Sequence, residues 1–172
     1  MAEVCGQSGL LGLGSNVGDR RAQLQAAVLA LPEIGVTALA SSSTYDTDPV
    51  GAVHDQPSFL NACLRVETTL EPLALLDRLK GLERELGREA ASVRNGPRAI
   101  DIDLLLLGDQ QLEHPRLRLP HAQLLTRRFV LIPALELDFE LRTPNGAALA
   151  DALAALPLDE GVRWAGPPLC VP

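Results

Sequence analysis

Aromatic side chains, lysine and an excess of positive charge are all lacking in this sequence. Aromatic residues make up 3% of the 172 residues, and Lys80 is the only lysine among 15 basic residues. Acidic residues number 22, so the net charge is −7. An acidic chain with so few aromatic residues lacks the basic surface and the stacking groups that nucleic-acid binding requires. We therefore expect no nucleic-acid partner.

Cysteines and long apolar runs are also scarce. Cys5, Cys63 and Cys170 are odd in number and far apart, which predicts free thiols in a reducing compartment rather than disulfides or a zinc site. No apolar run reaches about 18 residues, which argues against a membrane span. Glu3 stands where a secretory signal would carry basic residues. We expect a cytoplasmic monomer with no membrane partner.

Apolar periodicity predicts the order of the elements. Hydrophobic residues make up 47% of the chain, enough for a sizeable core. Helices are predicted over 19–31 and 72–86, and strands over 9–13, 36–47, 59–68 and 100–107. This order is that of a ferredoxin-like βαββαβ fold of the α+β class, with two helices on one face of an antiparallel sheet.

The rest of the chain is predicted to extend that fold. Residues 108–172 include a short Ala/Leu helix over 147–156 and show neither a flexible linker nor an internal repeat. We expect one domain over 1–172, with its core at about 9–107 and the 108–172 segment packed against it.

Basic residues are concentrated in the middle of the chain. Residues 78–128 hold 10 of the 15 basic residues and 7 of the 22 acidic ones, so this segment is net positive in an acidic protein. Such a segment favours an anionic ligand, and arginine suits two-point contacts with phosphate. A solvated helix face would account for the same charges.

Asp101 and Asp103 form the strongest local motif. Alternate residues of a strand share a face, so the two carboxylates point the same way, with Cα atoms about 6.6 Å apart. Because like charges repel, a hard divalent cation such as Mg²⁺ is their natural partner, with phosphate oxygens completing its coordination. A solvent-exposed strand face is the alternative that the motif alone leaves open.

Two weaker patterns accompany this motif. Phe59 and Asn61 share a strand face and could stack on and hydrogen-bond a planar heterocycle, although the pair by itself favours a core phenylalanine beside a capping asparagine. His121 precedes Arg127 closely enough for a helix turn to align the two side chains.

Five segments of the chain occur together in one order. They are GLGSNVGDR at 12–20, STYDTDPVG at 43–51, DQPSFLNA at 55–62, GPRAIDIDLLLLG at 96–108 and LPHAQLLTRRFVLIP at 119–133. Together they resemble the family of 6-hydroxymethyl-7,8-dihydropterin pyrophosphokinase, an enzyme of folate biosynthesis. The resemblance covers about residues 9–140. It implies a ferredoxin-like enzyme that transfers the β,γ-pyrophosphoryl group of ATP to the pterin hydroxymethyl oxygen and releases AMP, so that both partners are small molecules.

The resemblance also implies the roles of individual residues. Asp101 and Asp103 are implied to hold two Mg²⁺ ions, and Arg88 and Arg98 are implied to act with them in catalysis. The residues implied to bind ATP are Glu83, Arg88, Arg98, His121 and Arg127. The residues implied to bind the pterin are Thr47, Val50, Phe59, Asn61 and Phe129.

Three positions depart from the family pattern. Ala90 stands where many members carry a second arginine, Asn95 replaces an aromatic residue, and Lys80 replaces a common glutamine. Two other classes therefore stay open. One is a non-catalytic ferredoxin-like ligand-binding module, and the other is a different Mg²⁺-dependent nucleotide transferase that uses the DxD motif with a sugar acceptor.

Overall fold

A computed structural model describes residues 6–49, 55–87, 96–158 and 161–172. The strands in these ranges are β1 (Gln7–Ser15), β2 (Val36–Ser41), β3 (Thr44–Thr47), β4 (Phe59–Thr68), β5 (Asp101–Leu107), β6 (Leu112–His114), β7 (Leu117–Leu119) and β8 (Val162–Gly166). The helices are α1 (Arg20–Ala30), α2 (Pro72–Glu85), α3 (Arg128–Leu137) and α4 (Leu149–Ala155), with a 3₁₀ turn at Leu31–Ile34.

The main sheet is antiparallel and has the strand order β5-β1-β4-β3-β8, with β2 also paired to β4. Strands β6 and β7 form a separate hairpin. The four strands predicted from the sequence supply all of this sheet except β8, and both predicted helices are present. The ferredoxin-like α+β fold is thus confirmed.

The helices α1 and α2 cover one face of the sheet, as their patterns predict. Asp19 caps α1 by accepting a hydrogen bond from the Ala22 N–H at 3.0 Å. Pro72 opens α2, where the absence of its N–H costs nothing. Leucines 24, 75, 79 and 82 pack with Ile102 and Leu104 in one buried cluster. No helix in the described ranges is both long and apolar enough to cross a membrane.

The strand predicted over 36–47 is in fact two strands, β2 and β3. Both pair with the ten-residue β4, and Ser42 lies at the break. The Ser42 hydroxyl accepts the Cys63 N–H at 2.9 Å and donates to the Ser43 carbonyl at 2.7 Å. Hydroxyl groups that bond to the main chain in this way replace the regular ladder.

The other face of the sheet is covered by α3 and α4 from the C-terminal extension. Leu131 and Leu149 pack there against Leu105 and Leu106. Leu10 pairs with Leu106 and Leu11 with Leu104, so Leu105 is the extra residue of a β-bulge. The bulge places two consecutive leucines on one face, which explains why β5 ends in an unbroken apolar run.

Candidate active site

A cleft of about 690 Å³, counted to its open mouth, lies over β1, β4 and β5 beside the start of α3. Strand β1 forms the floor of the cleft, and its residues Gly12 and Gly14 place no side chain there. A Cβ on Gly14 would lie 2.9 Å from Asn61 Oδ1, and one on Gly12 would lie 3.3 Å from Leu105 Cδ1. Glycine at these positions therefore leaves the room that the Asn61 side chain occupies.

Asp101 and Asp103 line one side of this cleft, on the same face of β5. The Asp101 Oδ2 atom pairs with Arg98 Nη1 at 3.0 Å. Burial and the neighbouring Asp101 carboxylate raise the pKa of Asp103 to about 7, against the lowering effect of Lys80 and Arg98. Two carboxylates crowded in this way bind a cation in preference to carrying both charges alone.

This pair fits a magnesium ion whose coordination is completed from outside the protein. Both groups are hard oxygen donors, which Mg²⁺ prefers. The described residues contain no cluster of three or more potential metal ligands, so the two carboxylates could supply only part of an octahedral shell. Phosphate oxygens of a substrate and water are the remaining ligands that Mg²⁺ ordinarily uses.

Asn16 joins the two chain segments that flank the cleft. Its side chain is almost fully buried. Its Oδ1 atom accepts the Arg98 N–H at 2.8 Å, and its Nδ2 atom donates to Gln56 Oε1 at 3.0 Å and to the Pro57 carbonyl at 3.2 Å. The Asn16 N–H also donates to the Arg98 carbonyl at 3.1 Å. Asn16 lies in the GLGSNVGDR segment, but an asparagine after a strand is typical of a turn, so sequence reasoning assigned it no role.

The other side of the cleft is lined by two aromatic rings and one side-chain amide. Phe59 and Phe129 line it, together with Asn61 and Thr47. Asn61 Nδ2 donates to Thr47 Oγ1 at 2.5 Å, which fixes the amide orientation with Oδ1 toward Gly14. Phe59 and Asn61, the pair predicted on one face of β4, therefore lie on the same side of the cleft as Phe129 of α3. These three side chains line a slot that suits a planar ligand.

Arg127 lines the cleft with the carboxylates, whereas His121 lines a neighbouring depression with Gln111 and Leu125. Residues 122–126 between them form turns, contrary to the predicted helix turn. The His121 N–H bonds to the carbonyl of the bulge residue Leu105 at 2.9 Å. Burial and the charge of Arg127 lower the pKa of His121, so the ring is neutral at pH 7. Its Nδ1 atom accepts the Gln123 N–H at 3.2 Å, which assigns the ring proton to Nε2 as a hydrogen-bond donor.

Four residues complete the placement of the predicted site. Arg127 lines the cleft, with its Cζ atom 5.4 Å from the centroid of the Phe129 ring, in cation–π range. Glu83 lies instead behind β5, where it accepts the Ile102 N–H at 2.6 Å. Arg88 and Val50 lie outside the described residues, as do Ala90 and Asn95.

Glu136 is a second residue that sequence reasoning missed. From α3 it accepts hydrogen bonds from the Ser43 N–H at 2.8 Å, the Ser43 hydroxyl at 2.7 Å and the Tyr45 hydroxyl at 2.7 Å. Burial acts to raise the pKa of Glu136, but these hydrogen bonds together hold it below its ordinary value. The contacts join α3, which carries Phe129, to β3, which carries Thr47. A surface glutamate in a helix gives no sequence signal of such a link.

The raised pKa of Asp103 predicts how the stability of the metal-free protein depends on pH. The folded chain holds this proton more tightly than the unfolded chain, so the stability it confers is present below about pH 4 and is lost as pH rises through about 7. In EDTA, the wild type should lose on the order of 2 kcal/mol between about pH 5 and pH 8 relative to Asp103→Asn. Urea denaturation of both proteins across this range measures the difference, and a difference independent of pH would contradict the prediction.

Comparison with known proteins places this geometry in a family. The model of the 7,8-dihydro-6-hydroxymethylpterin-pyrophosphokinase (HPPK) family matches residues 10–139. A 2-amino-4-hydroxy-6-hydroxymethyldihydropteridine pyrophosphokinase of Pseudomonas aeruginosa is 45% identical over 152 residues, which cover 88% of this chain and 92% of that protein. The Bacillus subtilis protein of the same name is 40% identical over 154 residues, covering 89% of this chain and 87% of that one.

Solved structures agree at the level of the fold. A crystal structure of an HPPK-DHPS in complex with substrates superposes with a TM-score of 0.69 at 14% identity, covering 88% of this chain. Wild-type Plasmodium falciparum HPPK-DHPS gives a TM-score of 0.65, also at 14% identity, over 87% of this chain. This chain spans 43% and 44% of the length of those two chains. From its own sequence and fold together, the chain belongs to the 7,8-dihydro-6-hydroxymethylpterin-pyrophosphokinase family.

Proposed function

We propose that this protein transfers the β,γ-pyrophosphoryl group of ATP to the hydroxymethyl oxygen of 6-hydroxymethyl-7,8-dihydropterin, releasing AMP, as a step of folate synthesis. One observation carries the proposal. A carboxylate pair with an arginine and a flat aromatic slot with an amide share one cleft. The first arrangement suits a metal-bound polyphosphate and the second suits a pterin ring. Membership of the family supports the same reaction.

The polyphosphate side is assigned to the charged residues around β5. Asp101 and Asp103 would hold Mg²⁺, with two ions expected, and the metal would neutralise the phosphates and fix their geometry. Arg98 has a planar guanidinium that can meet phosphate oxygens at two points while it stays at Asp101. His121 donates from Nε2 without adding charge, and Arg127 adds a cation on the far side of the slot.

The pterin side is assigned to the slot. Phe59 and Phe129 would stack on the two faces of the ring, since offset aromatic stacking favours a flat heterocycle. Asn61 has both a donor and an acceptor and would bind the ring edge, with Thr47 holding its orientation. The slot and the carboxylates line the same cleft, so the hydroxymethyl oxygen would face the phosphates. Val50 and Arg88 keep the pterin and ATP roles that the resemblance implies, as predictions.

One assay separates this function from its alternatives. ATP, Mg²⁺ and 6-hydroxymethyl-7,8-dihydropterin are incubated with the protein, and nucleotide products are resolved by chromatography. AMP in equal amount to a diphosphorylated pterin supports the proposal. ADP as the product would indicate a different transferase. Pterin binding without any turnover would indicate a non-catalytic module.

Asn61→Leu tests the pterin slot. The change removes both hydrogen-bonding groups and keeps the branched shape and number of side-chain heavy atoms, so pterin binding should weaken by at least about 10-fold while ATP binding stays nearly unchanged. Thr47→Val is the matched variant. It removes only the group that orients the amide and should cost less. Calorimetry with each ligand separately measures both effects, and equal losses for the two ligands would make Asn61 a structural residue.

A further inference from the structure

Strand β5 lies at the edge of the described sheet, and two side chains of α2 hydrogen-bond to that edge at Ile102, between the two aspartates. Asp101 and Asp103 pair with Gly14 and Gly12 of β1. In an antiparallel ladder the backbone groups of successive residues point to opposite sides. The Ile102 N–H and carbonyl therefore point away from β1, and the sheet itself offers them no partner there.

Two side chains of α2 supply those partners. Glu83 Oε1 accepts the Ile102 N–H at 2.6 Å, and Lys80 Nζ donates to the Ile102 carbonyl at 3.1 Å. Lys80 Nζ also donates to Glu83 Oε1 at 2.8 Å. Three hydrogen bonds thus close a ring through Lys80, Glu83 and Ile102. The spacing of three residues places both side chains on the same face of the helix.

The Lys80–Glu83 ion pair is unusual as a purely structural feature. Glu83 is 1% exposed, whereas the side chain of Lys80 is 34% exposed. Taking a carboxylate out of water costs several kcal/mol, and apolar residues of similar volume are often as stabilising as a buried ion pair. The side chain of Ile102 is already buried in the core against Leu79 and Leu82. The charged pair adds directional contacts to the backbone of β5, which apolar packing alone cannot supply.

We propose that Lys80 and Glu83 are positioning residues. By hydrogen-bonding to the Ile102 N–H and carbonyl, they hold the Asp101 and Asp103 carboxylates in the positions that bind the metal-bound phosphates. The inference rests on the proposed function for its purpose but not for its geometry. A shift of the Ile102 backbone would move both carboxylates together, because they are its immediate neighbours. Supports of this kind commonly change metal affinity by about 10-fold or more when they are removed.

Lys80→Met tests the inference, because methionine keeps most of the stem and removes all three donors. Arg78→Met is the control, since it removes an exposed cation from the same helix. Lys80→Arg restores donors of the same charge. In metal-free, ¹⁵N-labelled protein, hydrogen exchange of the Ile102 amide should be about 10-fold faster in Lys80→Met than in the wild type, because the Ile102 carbonyl and Glu83 both lose a hydrogen bond. It should be unchanged in Arg78→Met and largely recovered in Lys80→Arg.

A second readout distinguishes positioning from general loosening. With a non-hydrolysable ATP analogue, calorimetry should show that Lys80→Met needs about 10-fold more Mg²⁺ for half-saturation, while pterin affinity stays unchanged. Unchanged Ile102 exchange and unchanged Mg²⁺ dependence would overturn the inference, and so would an equal loss of pterin affinity. Neither measurement requires turnover. A wild type that makes no AMP would thus overturn the proposed function and leave the test of this pair intact.

Discussion

Replacing Asp101 or Asp103 with alanine should lower AMP formation by at least about 100-fold at saturating Mg²⁺. Each change removes an oxygen ligand from the pair on β5, and pyrophosphoryl transfer depends on neutralising charge and fixing geometry more than on covalent chemistry. The rate of AMP release measures the effect. Asp109→Ala is the matched control, because Asp109 lies exposed in the turn just beyond β5 and should leave the rate unchanged.

Asp103→Ala should not be less stable than the wild type in EDTA. It removes a like-charge contact, so the melting temperature of the metal-free protein should stay equal or rise slightly. Asp101→Ala also removes the ion pair with Arg98, so its melting temperature should be lower than that of Asp103→Ala. Near-normal turnover in either variant would rule out a metal role for that aspartate. A variant that unfolds in EDTA would show instead that the aspartates stabilise the fold.

Asn16→Ala should have the next largest effect, on both stability and turnover. The change removes the three side-chain hydrogen bonds of Asn16 to Arg98, Gln56 and Pro57, at about 1 kcal/mol for each bond. For a chain of this size a loss of about 3 kcal/mol corresponds to a melting temperature lower by roughly 6–12 °C. Turnover should fall by at least about 10-fold, because the backbone of Arg98 loses its anchor. Thermal melting and steady-state kinetics measure the two effects.

Asn16→Asp separates the two segments that Asn16 joins. Aspartate keeps the oxygen that accepts the Arg98 N–H, but it sets a second oxygen against Gln56 Oε1 and the Pro57 carbonyl. This variant should raise the KM for the pterin more than the KM for ATP, since the 55–57 segment leads into Phe59. If Asn16→Ala kept its turnover per folded molecule, the bonds of Asn16 would serve stability alone.

The elements that the sequence predicted correctly are those with local causes. The helix α1 follows from its Asp19 cap and its apolar stripe, and α2 follows from Pro72 and the leucines after it. Alternation along β4 correctly predicted which residues face the core. The elements that it missed depend on distant partners. Strands β2 and β3 separate where the Ser42 hydroxyl meets Cys63, and β8 forms because the edge of β3 was open to it.

The sequence by itself determined the fold class and the pairing of Asp101 with Asp103, because strand periodicity places alternate side chains on one face whatever lies around them. Only the tertiary structure decided what surrounds that pair. Asn16 meets Gln56 and Arg98 across separations of 40 and 82 residues, and Lys80 meets Ile102 across 22. These contacts follow from which strands pair and which helix packs behind them. Which strands and helices pack together depends on the apolar surface buried over the whole chain. No local sequence pattern specifies that packing.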